Sequence, residues 1–350
     1  MSARGVALVL GATGVTGTPL TEHLLASGWC VYGLSRRPSG VQDGRYCHLL
    51  VDIHDKPALH NALRGCRDVT HVFDCASVGT GTARIEALAN LLDGLEANAP
   101  DFRNINLQQG MKYYGCHLGP FATPAREDAP RLAGNLFYYA DEDLIRRRQA
   151  GKPWTWTALR PHSVCGYADG NPLNLALVLA VYCSIRCELA EPLWFPASVR
   201  CFESQFQVMD ASLLARAALY VATNRPCANN AFNLNNSECF RWRGLWPGVA
   251  AYFGLKAEGA GGEPLADFLT RHAGTWNALA ARHGLRVFPI ERAAAWVRGD
   301  YTAPNSRFAA EYDICTDTTK IRQAGFSDAV GNAAMFQRLF TWYRDNRVIP

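Results

Sequence analysis

Tyr138 stands at the start of a helix predicted over Phe137-Tyr138-Tyr139-Ala140-Asp141-Glu142-Asp143. A tyrosine hydroxyl beside an ammonium group has its phenolate stabilised and its pKa lowered. It can then hydrogen-bond a carbonyl oxygen and stabilise negative charge that develops there. The commonest arrangement of such a pair puts the lysine four residues on, one turn along the same helical face. Here that position is Glu142. Either the site is dead or the lysine comes from elsewhere, and Lys112, in Gln108-Gln109-Gly110-Met111-Lys112-Tyr113-Tyr114, is the candidate. On residue type alone, Tyr138 and Tyr139 read equally as aromatic packing and Lys112 as a surface charge.

A second cluster points to nucleotide binding. Gly11-Ala12-Thr13-Gly14-Val15-Thr16-Gly17 follows the apolar run Val6-Ala7-Leu8-Val9-Leu10 and opens a helix. Glycines there allow a tight turn and let phosphate oxygens approach backbone N–H groups at the helix N-terminus, whose dipole favours anions. The position between strand and helix turns a weak motif into a dinucleotide site, with Gly11, Thr13, Gly14, Val15 and Gly17 as its residues. The end of the second strand, Ser35-Arg36-Arg37-Pro38, lacks the acid that would hold a ribose 2′-hydroxyl. Arg36 and Arg37 can grip a 2′-phosphate bidentately, which favours NADPH/NADP+. A solvated basic loop is the alternative reading. Asp52 and Ile53, at the end of the third strand, are placed to reach the adenine.

The elements that must position these residues alternate. Strands are expected at Val6–Leu10, Cys30–Ser35, His48–Val51, Val69–Phe73, Phe102–Leu107 and Thr155–Leu159, with helices at Thr18–Ser27, Pro57–Leu63, Ile85–Leu95 and from Tyr138. Continuous apolar strands separated by helices imply an α/β fold, a Rossmann-type doubly wound parallel sheet. Lys112 falls in the loop at the carboxyl edge, where such sheets bind ligands. Further helices are expected at Leu173–Cys187, Ala211–Ala222, Trp242–Phe253 and Met335–Asp345. The division is a dinucleotide-binding domain over 1–165, with strands also drawn from about 200–235. A smaller, mainly helical substrate-binding region over 166–350 is interleaved with it.

Composition excludes several other classes. The chain has 350 residues, 49% hydrophobic and 19% charged, with a formal net charge of +4. That is globular and too weakly basic for nucleic acid. The N-terminal residues run straight into a strand, leaving no room for a signal peptide. The stretch Leu173–Ile185 is too short for a bilayer. Twelve cysteines are scattered without a C-x-x-C pair or a histidine cluster, so no metal site and a reduced, cytoplasmic protein with core thiols are expected. The helix from Leu173 is either a core element or half of a homodimer interface.

The chain resembles the progesterone 5β-reductase and iridoid synthase-like family, atypical extended short-chain reductases that reduce conjugated enones. The matching segments are Gly11–Gly17, Arg36-Arg37-Pro38, Val69–Phe73, Leu107–Tyr114, Gly119-Pro120-Phe121, Phe137-Tyr138-Tyr139 with Glu142-Asp143, Arg160-Pro161 with Val164 and Gly166, and Ala231–Leu234. The resemblance implies that Lys112 and Tyr138 are the catalytic pair. It also implies cofactor contacts at Thr13, Gly14, Val15, Arg36, Arg37, Asp52, Ile53, Ala76, Gln108, Tyr138 and Val164. Departures surround the substrate: Asp74-Cys75-Ala76-Ser77 replaces an aromatic-rich segment, and Gln109 replaces a threonine.

The resulting expectation is NADPH-dependent 1,4-reduction of a small apolar α,β-unsaturated carbonyl compound. Tyr138 would stabilise the enolate and Lys112 would polarise Tyr138. Walls are expected from Cys75–Val78, Tyr113–Leu118, the Leu173–Ile185 helix and Trp194-Phe195. The same apparatus could reduce a ketone or imine, or start an isomerisation or cyclisation through an enolate, in secondary metabolism. A non-catalytic NADP(H) sensor is the alternative of a different class.

Overall fold

The structure is a computed structural model that describes residues 4–76, 81–134, 137–168, 173–286, 288–299, 308 and 310–350. Its centre is a seven-stranded sheet built from β1 (Val6–Leu10), β2 (Cys30–Ser35), β3 (Tyr46–Leu50), β4 (His71–Asp74), β5 (Asn104–Gln108), β6 (Thr155–Arg160) and β7 (Asn230–Asn233). The spatial order is β7-β6-β5-β4-β1-β2-β3, and every neighbouring pair is parallel. The order reverses beside β1, so a crevice opens at the carboxyl ends of β1 and β4.

Both faces of the sheet are covered, which is why its strands read as unbroken apolar runs. Side chains of β1 alternate. Leu8 and Leu10 pack with Leu59 and Leu63 of α2 (Lys56–Leu63) and Leu88, Leu91 and Leu92 of α3 (Thr82–Asn98). Ala7 and Val9 pack with Leu20 and Leu24 of α1 (Gly17–Ala26) and Leu213 and Leu214 of α6 (Ala211–Thr223). Local chemistry starts these helices where the sequence changes character. Asp55 accepts from the Ala58 N–H at the head of α2, and Asp210 accepts from the Ser212 and Leu213 N–H groups at the head of α6.

Beside the sheet lies a third apolar core. It holds α5 (Leu175–Glu188), α7 (Trp242–Tyr252), α8 (Leu265–Arg271), α9 (Ala273–His283), α10 (Ile290–Arg298) and α11 (Asn332–Asp345). Residues Leu175–Ile185 are buried within the chain itself, with Asn174 capping the helix by accepting from the Ala176 and Leu177 N–H groups. Three of these helices, α8, α9 and α10, have no counterpart among the expected elements. For α10 the signal was present: Pro289 precedes apolar residues at 290, 293, 294 and 297, a helical repeat.

Two expectations fail here. The cysteines are not all isolated thiols, because Cys239 and Cys315, 76 residues apart, are disulfide-bonded. No spacing rule links so distant a pair; the fold alone brings them together. Nor does Phe195 wall a ligand site; Trp194 beside it is exposed. Phe195 is fully buried among Phe202, Trp242, Trp246 and Phe308, so this aromatic cluster is core. Among the described residues no helix is long and apolar enough to cross a membrane.

Candidate active site

At the crevice the first turn is set by sterics. Gly11 adopts φ +71, and a Cβ there would sit 2.8 Å from the Cys75 carbonyl oxygen. A Cβ at Gly17 would lie 2.1 Å from the Gly11 carbonyl oxygen, so only glycine lets α1 pack this closely on the turn. Thr16, at the N-cap of α1, makes no side-chain capping bond. Within the first turn of α1 the Thr18 N–H already donates to the Gly14 carbonyl at 2.9 Å and Pro19 has no N–H, so an anion would meet backbone donors of the preceding turn. Gly11, Thr13, Gly14, Val15, Arg36, Arg37, Asp52, Ile53 and Ala76 line one cavity of about 390 Å3. The guanidinium groups of Arg36 and Arg37 are exposed, and among the described residues no carboxylate pairs with them. The glycine turn and the two arginines fit a phosphate-bearing dinucleotide.

A second cavity, of about 190 Å3, is lined by Gln109, Gly110, Met111, Lys112, Tyr138, Pro161, His162, Ser163, Val164 and Trp296. Lys112 comes from a 3-10 turn, Met111–Tyr114, just past β5, and Tyr138 from the first turn of α4 (Phe137–Gln149). The fold thus brings to one cavity a lysine and a tyrosine that lie 26 positions apart in the sequence. A Cβ at Gly110 would be 3.2 Å from the Tyr138 hydroxyl, so this hydroxyl lies directly over the β5 loop. Ser163 holds φ +43, with its carbonyl accepting from the Met209 N–H at 3.3 Å. A non-glycine residue there stores about 1–3 kcal/mol of backbone strain, a cost commonly found at functional sites.

Glu142 is not an idle replacement for a lysine. It is 2% exposed, and its Oε2 accepts from Arg160 at 3.0 Å while its Oε1 accepts from Arg146 at 2.8 Å. Arg131 adds a third cation at 3.4 Å. Burial alone would raise the Glu142 carboxyl, but Arg160, Arg146 and Arg131 outweigh it and hold the group below its ordinary value. Arg160, at the end of β6, also donates to the Gln109 side chain at 2.9 Å and the Tyr114 hydroxyl at 3.0 Å. Its guanidinium lies 3.3 Å from the Tyr113 ring centroid. One buried cation thus ties α4 to the turn that carries Lys112. The neighbouring acid, Asp141, is held by Arg84 at 3.0 Å, and Arg84 also pairs with Asp74 at the end of β4.

Of the other sequence candidates, Gln108 lines neither cavity; its amide donates to Asn106 at 2.6 Å. Gly17 sits behind the glycine turn. The expected walls fare differently from one another. Cys75 lines the nucleotide cavity, while Ser77 and Val78 lie outside the described residues. Of the expected Leu173–Ile185 wall, Leu173 lines the first cavity, while none of Leu175–Ile185 lines either cavity because that helix is spent on the core. Arg292 and Trp296 of α10, together with His162 and Ser163, are lining residues the sequence reading missed.

A model of the PRISE-like Rossmann-fold domain matches residues 72–350. This chain belongs to that family, within the extended short-chain dehydrogenases/reductases. A model of the NAD-dependent epimerase/dehydratase family matches residues 7–96. The chain is 30% identical to a short chain dehydrogenase, gsfE, from Penicillium aethiopicum, covering 98% of this chain and 99% of that protein. It is 28% identical to an (S)-8-oxocitronellyl enol synthase from Antirrhinum majus, covering 99% and 93%. A 3-oxo-Delta(4,5)-steroid 5-beta-reductase from Arabidopsis thaliana is 30% identical over 84% of this chain and 82% of its own. Among solved structures, WbmG from Bordetella bronchiseptica in complex with NAD superposes with a TM-score of 0.69 at 15% identity, covering 100% and 98% of the two chains. Membership of the PRISE-like family makes this chain an oxidoreductase that uses a nicotinamide cofactor.

Two outcomes test the site geometry. Glu142→Gln removes the buried counterion of Arg160 and is expected to cost about 3–5 kcal/mol of stability at neutral pH. Because the folded carboxyl is held low, its contribution is complete above the unfolded-state value and disappears as pH falls through the folded one. In urea titrations the gap between wild type and variant should therefore narrow on acidification; a pH-independent gap rules the ion pair out as its source. Gly110→Ala presses on the Tyr138 hydroxyl and should lower kcat roughly tenfold or more with the melting temperature nearly unchanged.

Proposed function

We propose that this protein is an NADPH-dependent reductase of conjugated enones or enals, adding hydride 1,4 to an α,β-unsaturated carbonyl compound. The observation that carries the reading is the meeting of Lys112 and Tyr138 in one cavity, with Glu142 committed elsewhere. A bound nicotinamide supplies hydride to the β-carbon. The Tyr138 hydroxyl donates a hydrogen bond to the substrate carbonyl oxygen and stabilises the enolate that forms. Lys112, lining the same cavity, holds the tyrosine polarised toward its phenolate. The α-carbon then takes a proton from solvent.

The preference for NADPH rests on Arg36 and Arg37 at the end of β2, where two unneutralised guanidinium groups suit a 2′-phosphate. Relatives named as an enol synthase and a steroid 5-beta-reductase support a role in secondary metabolism.

NADPH consumption against enones paired with their saturated ketones, with products identified by mass, tests the reaction. Reduction of the enones alone, lowered at least about 100-fold by Tyr138→Phe with NADPH affinity retained, is the expected result. Turnover of the saturated ketones would make the protein a 1,2-reductase instead. Arg36→Ala combined with Arg37→Ala should weaken NADPH roughly 10–100-fold and leave NADH affinity unchanged, since charge-assisted hydrogen bonds to the 2′-phosphate are lost. Equal loss for both cofactors would remove the basis for NADPH.

A further inference from the structure

Helix α10 touches both cavities. Its buried side, Ile290, Ala293, Ala294 and Val297, packs into the helical core. Arg292 and Trp296 lie on the opposite side, four residues and one turn apart. Arg292 lines the nucleotide cavity, and Trp296 lines the cavity of Lys112 and Tyr138. A single rigid turn of helix therefore reaches from one site to the other.

The charges in the nucleotide cavity are unevenly placed. Arg36 and Arg37 stand together at the end of β2, where a 2′-phosphate would lie. The residues of the glycine turn that line the cavity carry no charge at all. A dinucleotide's diphosphate would meet N–H donors there but no cation from the sheet. Arg292 is exposed, and among the described residues no acid neutralises it, whereas Arg298 on the same helix is paired with Asp267 at 3.0 Å. Arg292 shares its cavity with the arginine pair and the glycine turn and stands one helical turn from Trp296 in the other cavity, a placement that suits a diphosphate joining the two halves of a dinucleotide.

We infer that Arg292 clamps the cofactor's diphosphate and so anchors Trp296 over the catalytic cavity, making α10 a strap that the bound cofactor fastens. Arg292 is thus a binding residue contributed by the second half of the chain, and Trp296 is positioned through it. The inference rests on the reading of the first cavity as a nicotinamide dinucleotide site, but it does not require a preference for NADPH.

Calorimetric titration of NADPH and of NADH into wild type, Arg292→Gln and the Arg36→Ala/Arg37→Ala pair separates the possibilities. A diphosphate contact is common to both cofactors, so Arg292→Gln should weaken both by the same factor, roughly tenfold. A loss confined to NADPH would move Arg292 to the 2′-phosphate and overturn the assignment, as would unchanged affinity for both. If the arginine pair has no effect on NADPH, the cofactor preference fails, while an equal loss in Arg292→Gln still stands. Hydrogen exchange reads the strap without turnover. Saturating NADPH should protect the amides of Ile290–Arg298 in wild type, and that protection should fall in Arg292→Gln at saturation. Equal protection in both proteins would overturn the anchoring of Trp296.

Discussion

The buried pair between Arg160 and Glu142 is the constraint around which the cavity of Lys112 and Tyr138 is arranged. A guanidinium 1% exposed at the end of a central strand cannot remain without a counterion. Glu142 supplies it from α4, one turn after Tyr138, and the remaining donors of Arg160 are taken up by Gln109 and Tyr114. These contacts join β6, α4 and the β5 loop at a single point. The loop holding Lys112 and the helix holding Tyr138 are thus fixed by the same cation. Putting a lysine at 142 would place two cations side by side in the core. The acid at this position and the lysine outside the helix are therefore two consequences of one charge arrangement.

A parallel arrangement holds the other side of α4. Asp141, next to Glu142, is bound by Arg84, which also pairs with Asp74 at the end of β4. The segment Asp74-Cys75-Ala76 is thereby anchored by its charge rather than by aromatic bulk. Cys75 and Ala76 leave room beside the glycine turn, and both line the nucleotide cavity. Two successive acids in one helix, each facing a different arginine, set the orientation of its first turn more firmly than apolar contact alone, since each pair also has a directional hydrogen bond.

Much of this architecture was legible in the sequence because it follows from local rules. Strands buried on both faces must be continuously apolar, and a glycine turn between strand and helix has few uses. Lys112 and Tyr138 stand out because their chemistry is scarce near a carboxyl edge. The role of Glu142 was not legible, because Arg160 is 18 positions away and on a different element. The same holds for Cys239 and Cys315, joined only by the path of the chain. Phe195 misled for the opposite reason: an aromatic residue that could wall a cavity serves equally well in a core, and it is fully buried there. Helix α10 was missed despite a clear apolar repeat, since alanines at 293 and 294 give that repeat little weight.

What the two cavities share is a reliance on parts distant in sequence. The first cavity is nearly contiguous: a turn, strand ends and their flanking residues within the first 76 positions, joined by Leu173 and Arg292. The cavity of Lys112 and Tyr138 draws on the β5 loop, the start of α4, the residues after β6 and α10. A contiguous motif tolerates change elsewhere in the chain, so its chemistry stays readable from a short segment. A cavity assembled from four separate elements has no such independence, because moving any one of them changes its shape. Strained Ser163, the close approach of Gly110 to Tyr138, and the Arg160 network each limit that movement. The fold can therefore keep one cofactor platform while small changes in loops and helices reshape the space beside Tyr138.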